Sequence, residues 1–457
     1  MNRFLVSLAF APLVVACQDS TVDIGQLDNV LDLRALPNRD VDVLFVIDNS
    51  PSMADKQAAL VAGFPKMMDA LGTLEGGLPN LHIGVITSDM GSMGSLDLEP
   101  GPTIGNPQYG GCSGRGDDGN LKHNDGPDPA VELGGALYIS DLGNEDGSRT
   151  RNYTGELRDV FTKIATVGAG GCGFEQHLAS MRRALTNTAN GDFLRPNANL
   201  AVVILADEDD CSMAHSALLG PESDMMGLLG SFRCTRFGIE CDVGGETTDA
   251  MNQLGVKDNC HPRTDSAYVE DVTPFVDFLN GLKDDPRAVM VAAIAGPTTP
   301  VTIELRTSPV GAGIALAHSC TYLGSGNEPE LADPAVRFHA LVDAFEDRSS
   351  FSTVCTDDLS LSLASIGYST RQLVGDPCIT AALADTSTRP GLQPRCDVLD
   401  GTEATPACDG TNNDHCWQMI TDAVSCSATP DHLRFEVLRS TVPDANSYVS
   451  VRCLRAP

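Results

Sequence analysis

Short apolar runs alternate along the chain with longer segments whose apolar positions follow the spacing of a helix. The runs rich in β-branched residues are Val41–Ile47, Asn80–Ser88, Asn199–Ala206 and Ala288–Ala295. Such runs are typical of strands buried on both faces, as in a parallel sheet covered by helices. Helices are predicted from about residue 52 to 71 and over residues 157–167, 174–185, 268–283, 334–345 and 357–373. The alternation predicts an α/β fold with a doubly wound, mostly parallel sheet, to which Ala136–Ser140 and Phe351–Cys355 add short edge strands.

Long polar segments interrupt this alternation near residues 91–155, 208–266 and 298–333. Loops this long are usually functional or held by cross-links, so we interpret them as insertions into one domain that spans residues 41–373. From residue 374 onward the chain becomes rich in cysteine. Residues 374–457 are predicted to form a small disulfide-dependent module, with β structure at the alternating stretches His432–Leu438 and Ser447–Leu454.

The charge of the chain excludes one class of partner. The 457 residues carry a formal net charge of −32. Nucleic-acid-binding proteins present basic patches, so this balance argues against a nucleic-acid partner and favours solubility or the binding of cations.

The first residues are typical of an export signal. Arg3 precedes the apolar stretch Phe4–Val15, and the small residues that follow lead to Cys17. This pattern resembles the bacterial lipobox, which implies a signal peptide over residues 1–16, a lipidated Cys17 and a tether over residues 17–40. The residue after the cysteine is Gln18 rather than aspartate, which favours an outer-membrane lipoprotein of the cell envelope, on its periplasmic or surface side. The alternative is a plain secretory signal with an incidental cysteine.

Cysteine number agrees with export. Fourteen of the fifteen cysteines follow Cys17, an even number that predicts up to seven disulfides. A zinc site is the alternative, but the chain has no CxxC pair and its histidines do not complete a zinc-finger spacing.

Polar oxygens cluster where the first predicted strand ends. Asp48, Ser50 and Ser52 follow it at alternate positions. Because Mg²⁺ prefers oxygen ligands in near-octahedral geometry and keeps several waters, one or two carboxylates with hydroxyls on a tight turn are enough to hold it. An ordinary turn followed by a helix cap is the alternative for so short a pattern.

The pattern Asp48-x-Ser50-x-Ser52 resembles the metal-ion-dependent adhesion site (MIDAS) of the von Willebrand factor A (VWA) family. In that family the fourth strand also ends in an aspartate that completes the site, and Asp207 takes this position after Asn199–Ala206. The resemblance implies a sheet of strand order 3-2-1-4-5-6, in which strands 1 and 4 are neighbours and ligands bind beyond their carboxyl ends. Asp48 and Asp207 would then share one divalent cation, Mg²⁺ or alternatively Mn²⁺ or Ca²⁺.

One expected ligand departs from the family. The VWA pattern usually supplies a threonine from the loop before a helix, and Cys172 stands at that place. Sulfur is a poor ligand for Mg²⁺. Either additional water, Glu175 or Thr166 takes the role of the threonine, or the site is weak.

The resemblance implies a binding module and not an enzyme. Its cation would accept a carboxylate from a partner protein, with the insertion at residues 208–266 deciding which partner reaches it. The alternatives are a structural surface protein with a degenerate site and, less favoured, a Mg²⁺-dependent phosphatase-like hydrolase. Such hydrolases usually carry an aspartate where this chain has Ser50, and no G-x-S-x-G motif surrounds either serine. His215 and His261, in the insertions, are the candidate bases for the hydrolase hypothesis.

Overall fold

The computed structural model describes residues 30–34, 38–74, 77–106, 110–122, 131–144, 146–308, 311–375, 378–379, 381–386, 391–400, 403–409, 415–423, 426, 429, 431–439 and 449–456. The helices within them are α1 (Ala54–Gly72), α2 (Leu157–Ala165), α3 (His177–Thr186), α4 (Phe232–Gly238), α5 (Thr248–Met251), α6 (Thr273–Asn280), α7 (Val336–Asp343) and α8 (Ser360–Val374). The strands are β1 (Val30–Arg34), β2 (Asp40–Ile47), β3 (Asn80–Thr87), β4 (Ile139–Gly143), β5 (Arg149–Arg151), β6 (Asn199–Leu205), β7 (Ile239–Val243), β8 (Gly255–Pro262), β9 (Val289–Ala295), β10 (Val301–Ser308), β11 (Gly311–Leu316), β12 (Cys320–Leu323), β13 (Pro329–Ala332), β14 (Ser349–Thr353), β15 (Cys396–Asp400), β16 (Glu403–Ala404), β17 (His415–Thr421), β18 (Leu433–Arg439) and β19 (Val449–Leu454).

A mixed sheet lies at the centre of the described structure. Its order is β14-β9-β6-β2-β3-β4-β5. The strands from β14 to β3 are parallel to one another, whereas β4 pairs antiparallel with β3 and β5 pairs antiparallel with β4. The predicted α/β architecture, a largely parallel sheet with helices, is therefore confirmed.

Helices cover both faces of this sheet, which explains why its central strands are rich in apolar residues. On β2, Val43 and Phe45 pack toward α1, α2 and α8, while Leu44 and Val46 pack toward α3, α6 and α7. Every residue of β2 from Val41 to Ile47 is buried. Because neither face is left to solvent, the strand needs no polar alternation, and the polar residues of the candidate site follow where the strand ends.

Helix α6 is shorter than predicted. It begins at Thr273, five residues after the predicted start, because Val269 forms an isolated bridge with Met213 and is held in extended backbone. Asp271 then accepts a hydrogen bond from the Thr273 amide at 3.1 Å, and Pro274 occupies the first turn, where a missing amide hydrogen has no cost.

The second and third insertions join in one small sheet. Strands β7 and β8 come from the first of these segments, β10 and β11 from the second, and the order is β11-β10-β8-β7. Cys241 and Cys260 lie opposite each other on β7 and β8 and form a disulfide. A separate hairpin, β12–β13, follows β11. Segments far apart in sequence are thus combined beside the carboxyl edge of the central sheet.

The two alternating C-terminal stretches form strands that belong to two different sheets. Strand β18 pairs with β17, and the ring of Trp417 stacks on Phe435 with centroids 5.5 Å apart. Strand β19 instead lies between β15 and β1. Strand β1 falls within the segment predicted as a tether, so part of that segment is a strand of the C-terminal sheet.

Seven disulfides join the fourteen described cysteines, which confirms the predicted cross-linking. The pairs are Cys112–Cys172, Cys211–Cys234, Cys241–Cys260, Cys320–Cys355, Cys378–Cys426, Cys396–Cys453 and Cys408–Cys416. The sequence separation of the partners is at most 60 residues. Cys112–Cys172 and Cys320–Cys355 each join an insertion to a neighbouring part of the chain, whereas the other five pairs lie within one insertion or within the C-terminal module. The disulfides therefore act locally.

The predicted signal peptide and Cys17 lie outside the described residues. No helix in the described part of the chain combines the length and the apolarity needed to cross a membrane.

Candidate metal site

Two neighbouring parallel strands bring Asp48 and Asp207 to the same edge of the central sheet. Ile47, the last residue of β2, pairs with Leu205, the last residue of β6. The amide of Asp48 continues the ladder by donating to the carbonyl of Leu205 at 2.9 Å. Both aspartates are buried, with 0% and 3% of their surface exposed. Acidic side chains from distant parts of the chain therefore meet beyond the carboxyl ends of adjacent strands.

The turn after β2 fixes how its oxygens are presented. The amide of Ser50 donates to Oδ1 of Asp48 at 2.7 Å, so the aspartate closes a local turn with its own side chain. The hydroxyl oxygens of Ser50 and Ser52 lie 3.2 Å apart. Gln57, in the first part of α1, donates to the carbonyl of Asp48 at 3.0 Å and to that of Gly168 at 2.7 Å. The turn, the helix and the loop at residue 168 are thus held as one unit.

Buried carboxylate oxygens at this edge lack hydrogen-bond donors. Oδ2 of Asp48, Oδ1 of Asp207 and Oε1 of Glu175 have no hydrogen-bond partner among the described residues. A buried acceptor without a donor is costly, and for a charged group the cost is larger still. A cation or a proton is the kind of partner that these oxygens require.

Electrostatics supports the same conclusion. Burial raises the pKa of Asp48 to about 7, and the negative charge of Asp207 adds to this effect. Burial also raises the pKa of Asp207, although Lys56 and the hydroxyl of Ser52 act in the opposite direction. In the described residues no group of three or more His, Cys, Asp or Glu side chains is placed to hold a metal. A cation here would therefore rely on two carboxylates with the serine hydroxyls and water, which are hard oxygen ligands suited to Mg²⁺.

Lys56 is a component of the site that the sequence analysis missed. Its ammonium lies 3.1 Å from Oδ2 of Asp207 and donates to the carbonyl of Ser52 at 3.1 Å and to the carboxylate of Glu330. Burial acts to lower the pKa of Lys56, but the charge of Asp207 and the hydrogen bond to Glu330 outweigh it, so the pKa is raised. From the sequence, a lysine in the first turn of a helix is expected to be exposed. Only the folded structure shows that Lys56 is buried between Asp207 and Glu330.

The loop that departs from the VWA pattern lies beside this turn. Cys172 is bonded to Cys112, so its sulfur is not available as a thiolate ligand. The amide of Gly171 donates to the carbonyl of Asn49 at 2.7 Å. A Cβ atom at Gly171 would lie only 2.2 Å from Oδ1 of Asn49, so this contact requires glycine. The disulfide holds the loop where the family places a ligand but does not supply one.

Of the two residues considered as substitutes, the structure brings Glu175 to the site. Thr166 is exposed at the end of α2, where its hydroxyl donates to the carbonyl of Thr162 at 2.8 Å. Glu175 is 1% exposed. Burial raises its pKa well above the usual value, and the charges of Glu208, Asp48 and Asp207 raise it further.

The four acidic residues that follow β6 have different roles. Asp209 accepts hydrogen bonds from the amides of Arg337 and Phe338 at 2.8 and 3.2 Å, and so caps the start of α7. Asp210 accepts from the amide of Leu178 at 2.9 Å and pairs with the Arg337 guanidinium at 2.9 Å. These two acids are structural. Asp207 and Glu208 are left facing the site.

Access to the site is shaped by more of the chain than predicted. A cavity of about 380 Å³ opens at Ser52 and Asp207, and its far wall is formed by His318 and residues of strand β13. The amide of Asp333 donates to the carbonyl of Asp207 at 2.7 Å, which fixes the end of the β12–β13 hairpin beside the site. The segment 298–333 therefore forms this rim, a role that the sequence analysis gave to residues 208–266. A second cavity of about 600 Å³, lined by both segments, lies on the side of Glu175 and Glu208.

The histidines singled out from the sequence lie apart from this edge. His215 pairs with Asp97 at 2.8 Å and His261 with Asp242 at 3.4 Å, and both are exposed. Close to Asp48 lies His177, which is fully buried with Nε2 3.8 Å from Oδ2 of that aspartate. Burial lowers the pKa of His177 to about 4, so the ring is neutral at neutral pH.

Comparison with known proteins gives similarity to solved structures alone. No family model matches the chain, and no curated protein matches it. Among solved structures, the chain is similar to a von Willebrand factor type A protein from Catenulispora acidiphila, with 9% identity, a TM-score of 0.27, and coverage of 94% of this chain and 65% of that one. It is also similar to the human COPII-coat protein Sec24c, with 8% identity, a TM-score of 0.29, and coverage of 94% and 42%.

A third similar structure is the pilus adhesin RrgA from Streptococcus pneumoniae, with 12% identity, a TM-score of 0.26, and coverage of 93% of this chain and 57% of that one. The chain thus spans between 42% and 65% of the length of these three structures.

Proposed function

We propose that this protein is a lipid-anchored, divalent-cation-dependent binding module of the bacterial cell envelope, with a VWA-type site and no enzymatic activity. One observation carries the proposal. At the carboxyl edge of two adjacent parallel strands, the buried oxygens Oδ2 of Asp48 and Oδ1 of Asp207 have no hydrogen-bond donor in the described part of the chain. The strong negative charge of the chain agrees with cation binding and disfavours nucleic acid.

Each residue at this edge has a distinct part in the proposed binding. Asp48 and Asp207 provide two formal negative charges, and Ser50 and Ser52 provide neutral oxygens on a turn that the Asp48 side chain itself closes. A bound Mg²⁺, Mn²⁺ or Ca²⁺ would supply positive charge and an open coordination position for a carboxylate of the partner protein. Water takes the place of the family's threonine, since no group of three acidic, histidine or cysteine side chains among the described residues is placed to hold a metal.

Metal binding and its pH dependence test the proposal. The folded-state pKa of Asp48, about 7, lies above the ordinary value of 3.8. Protons therefore compete with the cation below pH 7, and the Asp48 contribution to metal-free stability declines as pH rises from about 4 to 7. By calorimetry we expect Mg²⁺ to bind at pH 8 and about thirtyfold more weakly at pH 5.5, since one proton must be displaced. Titration in buffers of different ionisation enthalpy counts that proton.

The same measurement separates this role from that of a structural spacer. The ammonium of Lys56 beside Asp207 and the disulfide at Cys172 favour the spacer, because they remove negative charge and one ligand from the site. A spacer gives no heat with Mg²⁺ or Mn²⁺ at any pH. For the binding module, partner proteins captured from envelope extracts should be released by EDTA and by an aspartate-rich peptide, but not by KCl of equal ionic strength.

The lipid anchor has its own test. We expect Cys17→Ala to abolish incorporation of labelled palmitate and to move the protein from the membrane fraction to the soluble fraction, because the thiol is the site of acylation. A matched Cys408→Ala variant, which loses an internal disulfide partner, should keep the label. A plain secretory signal predicts no palmitate label in the wild type, in Cys17→Ala or in Cys408→Ala.

A further inference from the structure

Lys56 is the one buried cation at the site, among the described residues, that the proposed function does not use. Its side chain is 1% exposed, and the ammonium stands between two carboxylates, Asp207 at 3.1 Å and Glu330. The third acceptor is the carbonyl of Ser52. The centroid of the Tyr322 ring lies 6.0 Å from the ammonium. Lys56 therefore places a buried positive charge at the site.

The position of this charge bears directly on cation binding. The ammonium pairs with Oδ2 of Asp207. Oδ1 of the same carboxylate and Oδ2 of Asp48 have no hydrogen-bond partner among the described residues and are the oxygens available to a divalent cation. A divalent cation on those two oxygens would share the Asp207 carboxylate with the ammonium, at distances where like charges repel strongly. Displacement of the ammonium toward Glu330 relieves that repulsion, because Glu330 is already its partner.

We propose that Lys56 is an internal counter-cation that weakens divalent-cation binding at Asp207, and that Glu330 sets the strength of this effect by drawing the ammonium away. The inference rests on the proposed cation site and adds its regulation. Lys56 and Glu330 are positioning residues here, since neither is a ligand of the cation.

Glu330 depends in turn on how the β12–β13 hairpin is docked. The turn of the hairpin rests on the first turn of α1, where Ser325 donates to Oδ1 of Asp55 at 3.3 Å. A Cβ atom at Gly324 would lie 2.4 Å from Oδ2 of Asp55, so the two segments are in close contact. The Cys320–Cys355 disulfide ties the base of the hairpin to the end of β14. A ligand that lifts the hairpin would leave the ammonium to Asp207 alone and weaken cation binding.

Variants of the two residues have opposite expected effects. Lys56→Met keeps an unbranched side chain one atom shorter and removes the charge, so we expect Mg²⁺ to bind at least tenfold more tightly, roughly the effect of one nearby like charge. Glu330→Gln leaves the ammonium to Asp207 and should weaken Mg²⁺ binding severalfold. Lys66→Met, on an exposed lysine of the same helix, is the matched control and should leave the affinity unchanged. Calorimetry measures all four proteins at pH 8.

The unfolding temperature provides a second measurement, first without metal and then with Mg²⁺. Without metal, Lys56→Met removes the ammonium that offsets the charges of Asp48 and Asp207, so the unfolding temperature of the variant should fall. Added Mg²⁺ should raise that temperature by more than it does in the wild type. Should Lys56→Met not fold without metal, Glu330→Gln still tests the inference through its weaker binding.

The outcomes separate this inference from the proposed function. Mg²⁺ binding to Lys56→Met but not to the wild type upholds the inference and overturns the proposed function of the native chain. Equal or weaker binding by Lys56→Met overturns the inference while wild-type binding keeps the function. Absence of binding in every variant overturns both.

Discussion

Replacement of Asp48 by asparagine is expected to weaken Mg²⁺ binding by roughly a hundredfold or more, because the site loses one of two formal charges. The amide is nearly isosteric, and its oxygen still accepts the hydrogen bond from the Ser50 amide that closes the turn. The variant should also be more stable than the wild type at pH 8 without metal, since it no longer buries an ionised carboxylate whose pKa is raised to about 7. Calorimetry measures the Mg²⁺ affinity, and chemical denaturation measures the stability of the metal-free protein.

Asp209→Asn provides the matched control for that experiment. Asp209 lies two residues from Asp207, and burial raises its pKa to about 7 as well, but its carboxylate caps α7. We expect this variant to keep the Mg²⁺ affinity of the wild type, because its carboxylate faces α7 and not the candidate site. Equal weakening of Mg²⁺ binding in both variants would show that the effect arises from general loss of acidity, and the assignment of Asp48 as a ligand would then be wrong.

The largest expected loss of stability comes from Arg337. Its guanidinium is buried and joins Asp210 at 2.9 Å to the carbonyl of Glu270 at 2.8 Å. Arg337→Met removes the cation and leaves the Asp210 carboxylate buried without it, which costs about 3–5 kcal/mol. The midpoint of urea denaturation, followed by circular dichroism, measures this loss.

Two further variants define the origin of that loss. Arg158→Met breaks an exposed pair with Asp159 at 3.5 Å and should change the free energy of unfolding by less than about 0.5 kcal/mol. The double variant Arg337→Met with Asp210→Asn should recover part of the loss, because the uncompensated charge is gone. A loss below about 1 kcal/mol for Arg337→Met alone would contradict a buried, uncompensated carboxylate as its cause.

The central sheet could be predicted because its strands are buried on both faces. That burial requires continuous apolar runs, which are present in β2 from Val43, in β6 from Leu200 and throughout β9. The proximity of Asp48 and Asp207 follows from parallel pairing, since the carboxyl ends of neighbouring strands share an edge. For these elements local pattern and tertiary structure agree.

Other parts of the site depend on tertiary contacts that the local sequence pattern does not indicate. Lys56 has the sequence context of an exposed helical residue, and only the docked hairpin with Glu330 buries it. Among the acids after β6, the roles of Asp209 and Asp210 are set by α7 and Arg337, which lie more than 120 residues further along. The pairing of the C-terminal strands is similarly undetermined, because alternation identifies a strand but not its neighbour.

The chain enters the central sheet at the edge opposite the candidate site. It does so at Asp40, the amino end of β2, whereas Asp48 follows the carboxyl end of the same strand. An eight-residue strand is roughly 26 Å long, so the segment that leads into β2 reaches the sheet about that far from Asp48. Changes to this segment are therefore separated from the candidate site by the full length of the strand.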